Sequence, residues 1–526
     1  MLKNRLPLLF AFPLSILIWL SGNEIKEEYL SVVDTVVIDT VEVQDKGATL
    51  AAVYCATCHK LPKPESLDKR TWENSVLPNM GLRLGLKIDG KNWDDTMSKV
   101  EADIVRNLKI YPEYPLISEQ DWELVKKYYI GNAPKELPAQ IREKDIGNTV
   151  FPFSAQTISI GDSKLPQVSL LRFDPNTSEL YIGDFQSLIA IDTRGNITNT
   201  WDLESPASDI KFVEFKEPLL LTLGKLSPSD QALGKLLRLD TNVSSDKNDI
   251  LLSSLKRPVN FQVEDLNDDG LKDLILCSFG HYAGRLSWLD NFDTSKEHVL
   301  NTLPGTRKVE ISDFNGDGRP DIMALMTQAR EQITIYYNQG NNTFEEKNVL
   351  SFDAVNGTSY FELADFNGDG YQDILVTNGD NRDYSPIDKP YHGIRIYLND
   401  GNAMFKESFF YPMYDCGKAM TRDFDGDGDL DIIGAALYSE YTDKRNAKEG
   451  IVYLENKGGL NFVPSYMDVP IHGNWLTMEV GDFNKDAKLD VMLGTYIYNI
   501  PEMISITMNT GTNTFPQVLL LTNLSK

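Results

Sequence analysis

Cysteine is scarce in this chain, with 4 in 526 residues. That is too sparse for a disulfide scaffold. Basic side chains are also in deficit: 51 Lys and Arg face 77 Asp and Glu, for a net charge of −26. The deficit is uneven. Residues 1–45 carry −4, residues 46–145 carry +1, and residues 146–526 carry the remaining −23. Nucleic acid and anionic membrane are poor partners for so acidic a C-terminal part, whereas bound cations suit it. Nor does any nucleophile–base constellation or phosphate loop stand out. What remains is ordinary for a soluble globular protein, 41% hydrophobic and 24% charged. The length exceeds one hydrophobic core and implies more than one domain, although a propeller can run longer as a single unit.

Residues 1–22 read as an export signal. Lys3 and Arg5 precede an apolar run from Leu8 to Leu20, which is interrupted by Pro13, and Ser21-Gly22 supplies small residues for cleavage. The alternative is an uncleaved anchor, but the run is short for a span of about 20 residues. Either reading places the rest of the chain outside the cytoplasm, in the periplasm or at the cell surface of a bacterium. Membrane contact is expected only if the segment stays uncleaved. Residues 23–45, acidic and β-branched, form a linker or an extra strand.

Residues 46–146 differ from the rest of the chain. Ser118 and Asp121 resemble a helix N-cap with an acidic first turn. Trp122, Val125 and Tyr129 recur at helical spacing, and Gly131 and Pro134 end the pattern. Residues 100–110 are also patterned as helix. From about residue 150 the pattern turns to β, with runs such as Ile394–Leu398 and Ile451–Leu454 separated by Gly, Asn and Asp. Cys277 and Cys416 fall in such runs and read as buried small hydrophobes.

A nine-residue Asp motif recurs five times in that region. Asp265-Leu-Asn267-Asp-Asp269-Gly-Leu-Lys-Asp273 is followed by Asp313, Asn315, Asp317 and Asp321, then by Asp365, Asn367, Asp369 and Asp373. Asp423, Asp425, Asp427 and Asp431 form the fourth copy, and Asp482, Asn484, Asp486 and Asp490 the fifth. First residues are spaced by 48, 52, 58 and 59. A period near 50 with several short strands per unit indicates propeller blades. Two earlier units, 160–203 and 205–257, keep the strand rhythm without the motif. The expectation is a mainly β, seven-bladed propeller over 150–526, with residues 150–160 pairing with the last blade to close the ring.

Oxygens at positions 1, 3, 5 and 9 with glycine at 6 form a compact set of hard ligands, which suits calcium. The fifth copy departs, with Lys485 at position 4 and Ala487 at position 6. An Asp-rich turn without metal is the alternative. An EF-hand fails, because no helix pair flanks the loops and no Glu stands at position 12. As a set, these motifs resemble the FG-GAP/VCBS repeats, whose calcium loops also occur in integrin α-subunit propellers. The resemblance spans roughly residues 160–520. It implies calcium held between the first and second strands of a blade, usually in a structural role.

Cys55-Ala-Thr-Cys58-His59 is the c-type haem attachment pattern: two thiols bond the haem vinyls and the histidine reaches the iron. A redox dithiol and a partial zinc site are the alternatives, but residues 46–146 hold no further Cys or His to complete zinc binding. His59 is the only histidine before residue 281, so Met80 is the first candidate for sixth ligand and Met97 the second. With Gly47 ahead of it and a helix at its end, the region resembles small class I cytochrome c domains. It also resembles the haem segment fused to some bacterial VCBS propellers.

In a four-stranded meander the 1–2 loops lie at one end and the 2–3 loops and blade connections at the other. The Asp motifs occupy the first end. His281, Arg330, Glu331, Asp383, Lys389, His392 and His472 fall at the opposite end, which also carries the longest insertions, 379–393 and 439–450. Loops on a rigid scaffold often carry function, although ordinary solvated loops read the same way. Three functions fit. The chain is an electron-transfer protein whose propeller docks a redox partner, a haem-linked oxidoreductase acting on a small substrate, or an extracellular adhesion module binding carbohydrate or protein. The haem motif favours the first two and the repeats the third.

Overall fold

The computed structural model describes residues 46–141, 150–160, 165–212, 217–240, 249–328, 330–380, 384–437, 447–467 and 471–525. The segments read as signal and linker, Asp383, and most of the 439–450 insertion lie outside the described residues.

The N-terminal part is helical because its apolar residues fall at helical spacing behind side-chain caps. It contains α1 (Lys46–Tyr54), α2 (Lys69–Thr71), α3 (Leu77–Arg83), α4 (Lys99–Leu108) and α5 (Glu119–Asn132). Asp68, Ser98 and Ser118 accept hydrogen bonds from backbone N–H groups of the first turns of α2, α4 and α5. Trp72, Leu77, Trp122, Val125 and Tyr129 form the core. Two buried polar atoms are satisfied within it: Trp72 Nε1 donates to the Pro64 carbonyl at 2.8 Å, and Tyr129 Oη to the Pro62 carbonyl at 3.1 Å. Helices α1 and α5 cross at Gly47. A Cβ there would lie 2.3 Å from the Leu124 carbonyl oxygen and 2.8 Å from Tyr128 Cβ, so only glycine fits.

The remainder is a seven-bladed propeller. Each blade is a four-stranded antiparallel sheet. Blades 1 and 2 begin at Val168 and Ala207, and blades 3 to 7 at Pro258, Thr306, Thr358, Cys416 and Trp475. The expected closure occurs. Phe153–Ile158 is the outermost strand of blade 7, paired antiparallel with Val518–Asn523. Apolar clusters fill the space between neighbouring blades, as where Ile394 and Ile396 of blade 5 meet Ile432 and Val452 of blade 6. Cys277 and Cys416 are fully buried in such clusters.

The first strand of each blade packs against the first strands of its neighbours, forming the inner ring. All seven carry a register shift near their start, between Val168 and Leu170, Ala207 and Asp209, and so on to Trp475 and Thr477. A bulge adds local twist and re-aims the following side chains. Charges there meet across blades: Arg172 lies 3.1 Å from Asp209 and 3.6 Å from Glu479, and Arg422 2.6 Å from Glu362. Lys308 pairs with Glu310. Residues that alternate like a solvated strand face thus neutralise one another inside the ring.

Candidate functional site

The Asp motifs form the loops between first and second strands. Position 1 organises each turn. Asp313 Oδ1 accepts from the Gly316 and Asp317 N–H groups at 2.8 and 3.1 Å, and its Oδ2 from Gly318 N–H at 2.7 Å. Position 6 lies in the left-handed region, with φ of 82–95° at Gly270, Gly318, Gly370 and Gly428. The fifth loop keeps the same path although it strains Lys485 (φ 65°) and Ala487 (φ 69°). Position 9 opens the second strand, fully buried in all five copies. Its oxygens accept backbone N–H groups from the loop and from the third strand: Phe366 and Asn399 for Asp373, Phe314 and Asn338 for Asp321.

Burial raises every position-9 carboxyl. At Asp431 burial, with the Asp425 charge adding, pushes it up to about 6. Carboxylates so arranged favour a cation over one another. In blade 6, oxygens of Asp423, Asp425 and Asp431 lie within 4.8 Å of one another. The other four loops have Asn at position 3, an oxygen donor without charge.

At the opposite end of the ring sits the helical part. Helix α1 runs into a tight turn, Cys55–Thr57, in which Thr57 Oγ1 donates to the Tyr54 carbonyl at 2.9 Å. Both thiols of the motif are unbridged. Cys55 packs on the apolar cluster and Cys58 is exposed. Burial, and then Cys58, push the Cys55 thiol up to about 11. Among the described residues Cys55, Cys58 and His59 do not form a preassembled group of converging ligand atoms. His59 Nδ1 lies 3.0 Å from the Lys60 carbonyl, an acceptor only, so Nδ1–H donates there, and in the neutral ring Nε2 is the nitrogen left to ligate.

Met80, in α3, is half-buried on the same apolar cluster as Cys55 and Leu61. Met97 follows the turn Trp93–Thr96 and stands outside that cluster. Beside Met80, at Gly81, the buried indole Nε1 of Trp122 has no hydrogen-bond partner. Two free thiols, a histidine with an open nitrogen, a nearby thioether and an unpartnered indole donor together fit a covalently attached haem.

The helical part docks on the propeller face singled out from the sequence. A cavity of about 390 Å³ lies between the motif and blade 4, lined by Cys58, His59 and Lys60 on one side and by Arg330, Glu331 and Phe352 on the other. Lys60 Nζ is 2.7 Å from Asp353, Ser75 Oγ donates to the Tyr384 carbonyl at 2.6 Å, and Tyr391 Oη to the Ser66 carbonyl at 2.9 Å. Arg83 lies over the rings of Tyr111 and Tyr282, at 5.3 and 4.4 Å. Burial alone would raise Glu101, but hydrogen bonds from Ser229 (2.6 Å) and Gln231 (2.7 Å) prevail and hold it below the usual carboxylate range.

The seven face residues separate accordingly. Arg330 is exposed at the cavity. Glu331 is buried, and its oxygens accept the Gly357 and Thr358 N–H groups and the Thr358 hydroxyl. Lys389 and His392 are buried, and Gln140 Nε2 donates to the His392 carbonyl at 2.8 Å. His392 Nδ1 lies 3.3 Å from Asp415. Burial lowers His281 to about 4, so it is neutral near pH 7. His472 is half-buried ahead of blade 7. The contacts of Arg83, Glu101 and Gln140 carried no signal in the sequence. Helix α6 (Ile500–Thr510) did: Asn499 caps it, Pro501 and Glu502 open it and Gly511 ends it.

The fold and its loops define a seven-bladed β-propeller carrying FG-GAP-like repeats. The FG-GAP-like repeat model matches residues 265–324, 313–376 and 423–493. Among solved structures, the N-terminal domain of Nup159 is 14% identical, with a TM-score of 0.42, covering 73% of this chain and 99% of that one. A calcium-binding protein, regucalcin, from Agrobacterium tumefaciens is 12% identical, with a TM-score of 0.38, covering 58% of this chain and 94% of that one. These distant likenesses carry no functional argument. FG-GAP-like repeats on a propeller suggest a binding or adhesion-type role. Among the described residues no helix is long and apolar enough to cross a membrane.

Proposed function

We propose that this chain is an exported bacterial haem-c electron-transfer protein whose calcium-stabilised propeller binds a redox partner or a small ligand. The observation that carries the reading is Cys55-Ala-Thr-Cys58-His59 at the end of α1, where Gly47 locks α1 to α5 and the motif opens onto the propeller. Cys55 and Cys58 would hold the group through thioethers, His59 Nε2 would ligate the iron, and Met80 is the sixth ligand this reading favours. A haem so held supplies a one-electron couple, and a methionine ligand raises its potential. The Asp loops would hold calcium through the oxygens of positions 1, 3 and 5 and one oxygen of position 9, joining first and second strands.

The test is the visible spectrum of the mature protein, made in a host that attaches haem c, with and without dithionite. A sharp reduced α-band whose colour survives acid–acetone extraction is expected. A weak far-red band in the oxidised form would identify methionine ligation, and its loss in Met80→Ala would assign it to Met80. A colourless protein despite competent maturation would end the electron-transfer reading. The repeats would then favour a calcium-dependent binding propeller.

A further inference from the structure

The cavity beside the motif has two walls of different origin. One is the motif segment Ala56–Leu61, and the other is formed by the start of the third strand of blade 4, around Arg330–Gln332, and the end of its fourth strand at Phe352. The walls are fastened together. Lys60 and Asp353 pair across them, and Val355 and Ile387 of the propeller pack on the apolar cluster that also receives Cys55 and Met80. Whatever the motif holds is therefore surrounded partly by propeller.

The charges of the cavity are mostly committed. Lys60 is paired with Asp353. Glu331 turns its carboxylate onto the backbone of Gly357 and Thr358. Arg330, exposed at the same cavity, has no carboxylate partner among the described residues. It is a positive charge at the cavity that His59 also lines, in a strongly acidic molecule.

We infer that blade 4 supplies part of the haem's surroundings, and that Arg330 sets the reduction potential through its charge. This rests on the proposal that the motif carries haem. A fixed cation favours the state holding one more electron, so Arg330 raises the midpoint and its removal lowers it. A unit charge about 10 Å away, at an effective dielectric of about 20–40, changes such an equilibrium by roughly fourfold or more. The propeller would thus tune the couple as well as bind a partner.

The experiment is a potentiometric titration of the mature full-length protein at low ionic strength, alongside Arg330→Gln, Arg330→Lys and Arg194→Gln. Arg194 lies in a loop between the third and fourth strands of blade 1, at the Asp-loop end. Arg330→Gln is expected to lower the reduced-to-oxidised ratio at fixed potential at least about fourfold. Arg330→Lys should restore it, Arg194→Gln should not move it, and the difference should shrink as salt is raised. A coloured Arg330→Gln protein titrating with the wild type would overturn this inference alone. A colourless wild-type protein would overturn the haem reading with it.

Discussion

Replacing Asp373 tests whether position 9 of the Asp loops braces the blade independently of any ion. Asp373 is fully buried and accepts the N–H groups of Phe366 at 2.9 Å and Asn399 at 2.8 Å. Asp373→Ala leaves both donors without an acceptor. A stranded buried donor costs about 1–3 kcal/mol, so the pair should cost about 2–4 kcal/mol once some water entry is allowed. Asp369, in the same loop, is exposed, and its partners Asn367 and Tyr371 can turn to water. Asp369→Ala should cost under about 1 kcal/mol in chelator. Urea unfolding followed by tryptophan fluorescence, in EGTA and in excess calcium, separates the two roles. In EGTA only Asp373→Ala should shift the midpoint strongly. In calcium, where a ligand at 100 times its Kd adds about 2.7 kcal/mol, Asp369→Ala should gain less than wild type. Equal midpoints for Asp373→Ala and wild type in EGTA would refute the brace.

Two other expectations concern the helical part and the interface. Gly47→Ala must force α1 away from α5, and should destabilise the helical part by about 1–3 kcal/mol, read as a lower Tm; an unchanged melt would refute the crossing. Burial pushes Glu331 up to about 7 from its ordinary 4.5. Its ionised form is therefore penalised in the fold, and its contribution to stability, full below pH 4.5, is lost as pH rises through about 7. Glu331→Gln does not titrate, so it should gain on wild type by about 2 kcal/mol between pH 5 and 7.5. A gap that stays constant across that range would show that Glu331 ionises freely.

Much of the architecture is legible in local pattern, because a blade is a local unit. Short β-branched runs, the five-fold Asp register and the Ser118 cap are all written within a few residues, and the closing strand follows from counting units. The interface is of another kind. Tyr391 meets Ser66, and Glu101 meets Ser229, Asp230 and Gln231, across long separations in the chain. Nothing local distinguishes such a glutamate from a solvated one. For the same reason Lys389 and His392, polar residues in a proline-punctuated loop, look exposed until the helical part covers them. The inner-ring charges mislead similarly: Arg172 and Glu479 alternate with apolar neighbours as a wetted strand would, yet each finds its counter-charge on another blade.

The closing strand has a consequence for synthesis. Phe153–Ile158 leaves the ribosome before any blade, but its partner among the described residues, Val518–Asn523, is made only after the first six blades. While the first six blades assemble, Phe153–Ile158 has no partner strand, and its unpaired edge is free to recruit a neighbouring chain. The seam therefore forms last and joins the two ends of the propeller. Removing Val518–Asn523 would therefore cost the whole circle, where an equal deletion in an exposed loop would cost little.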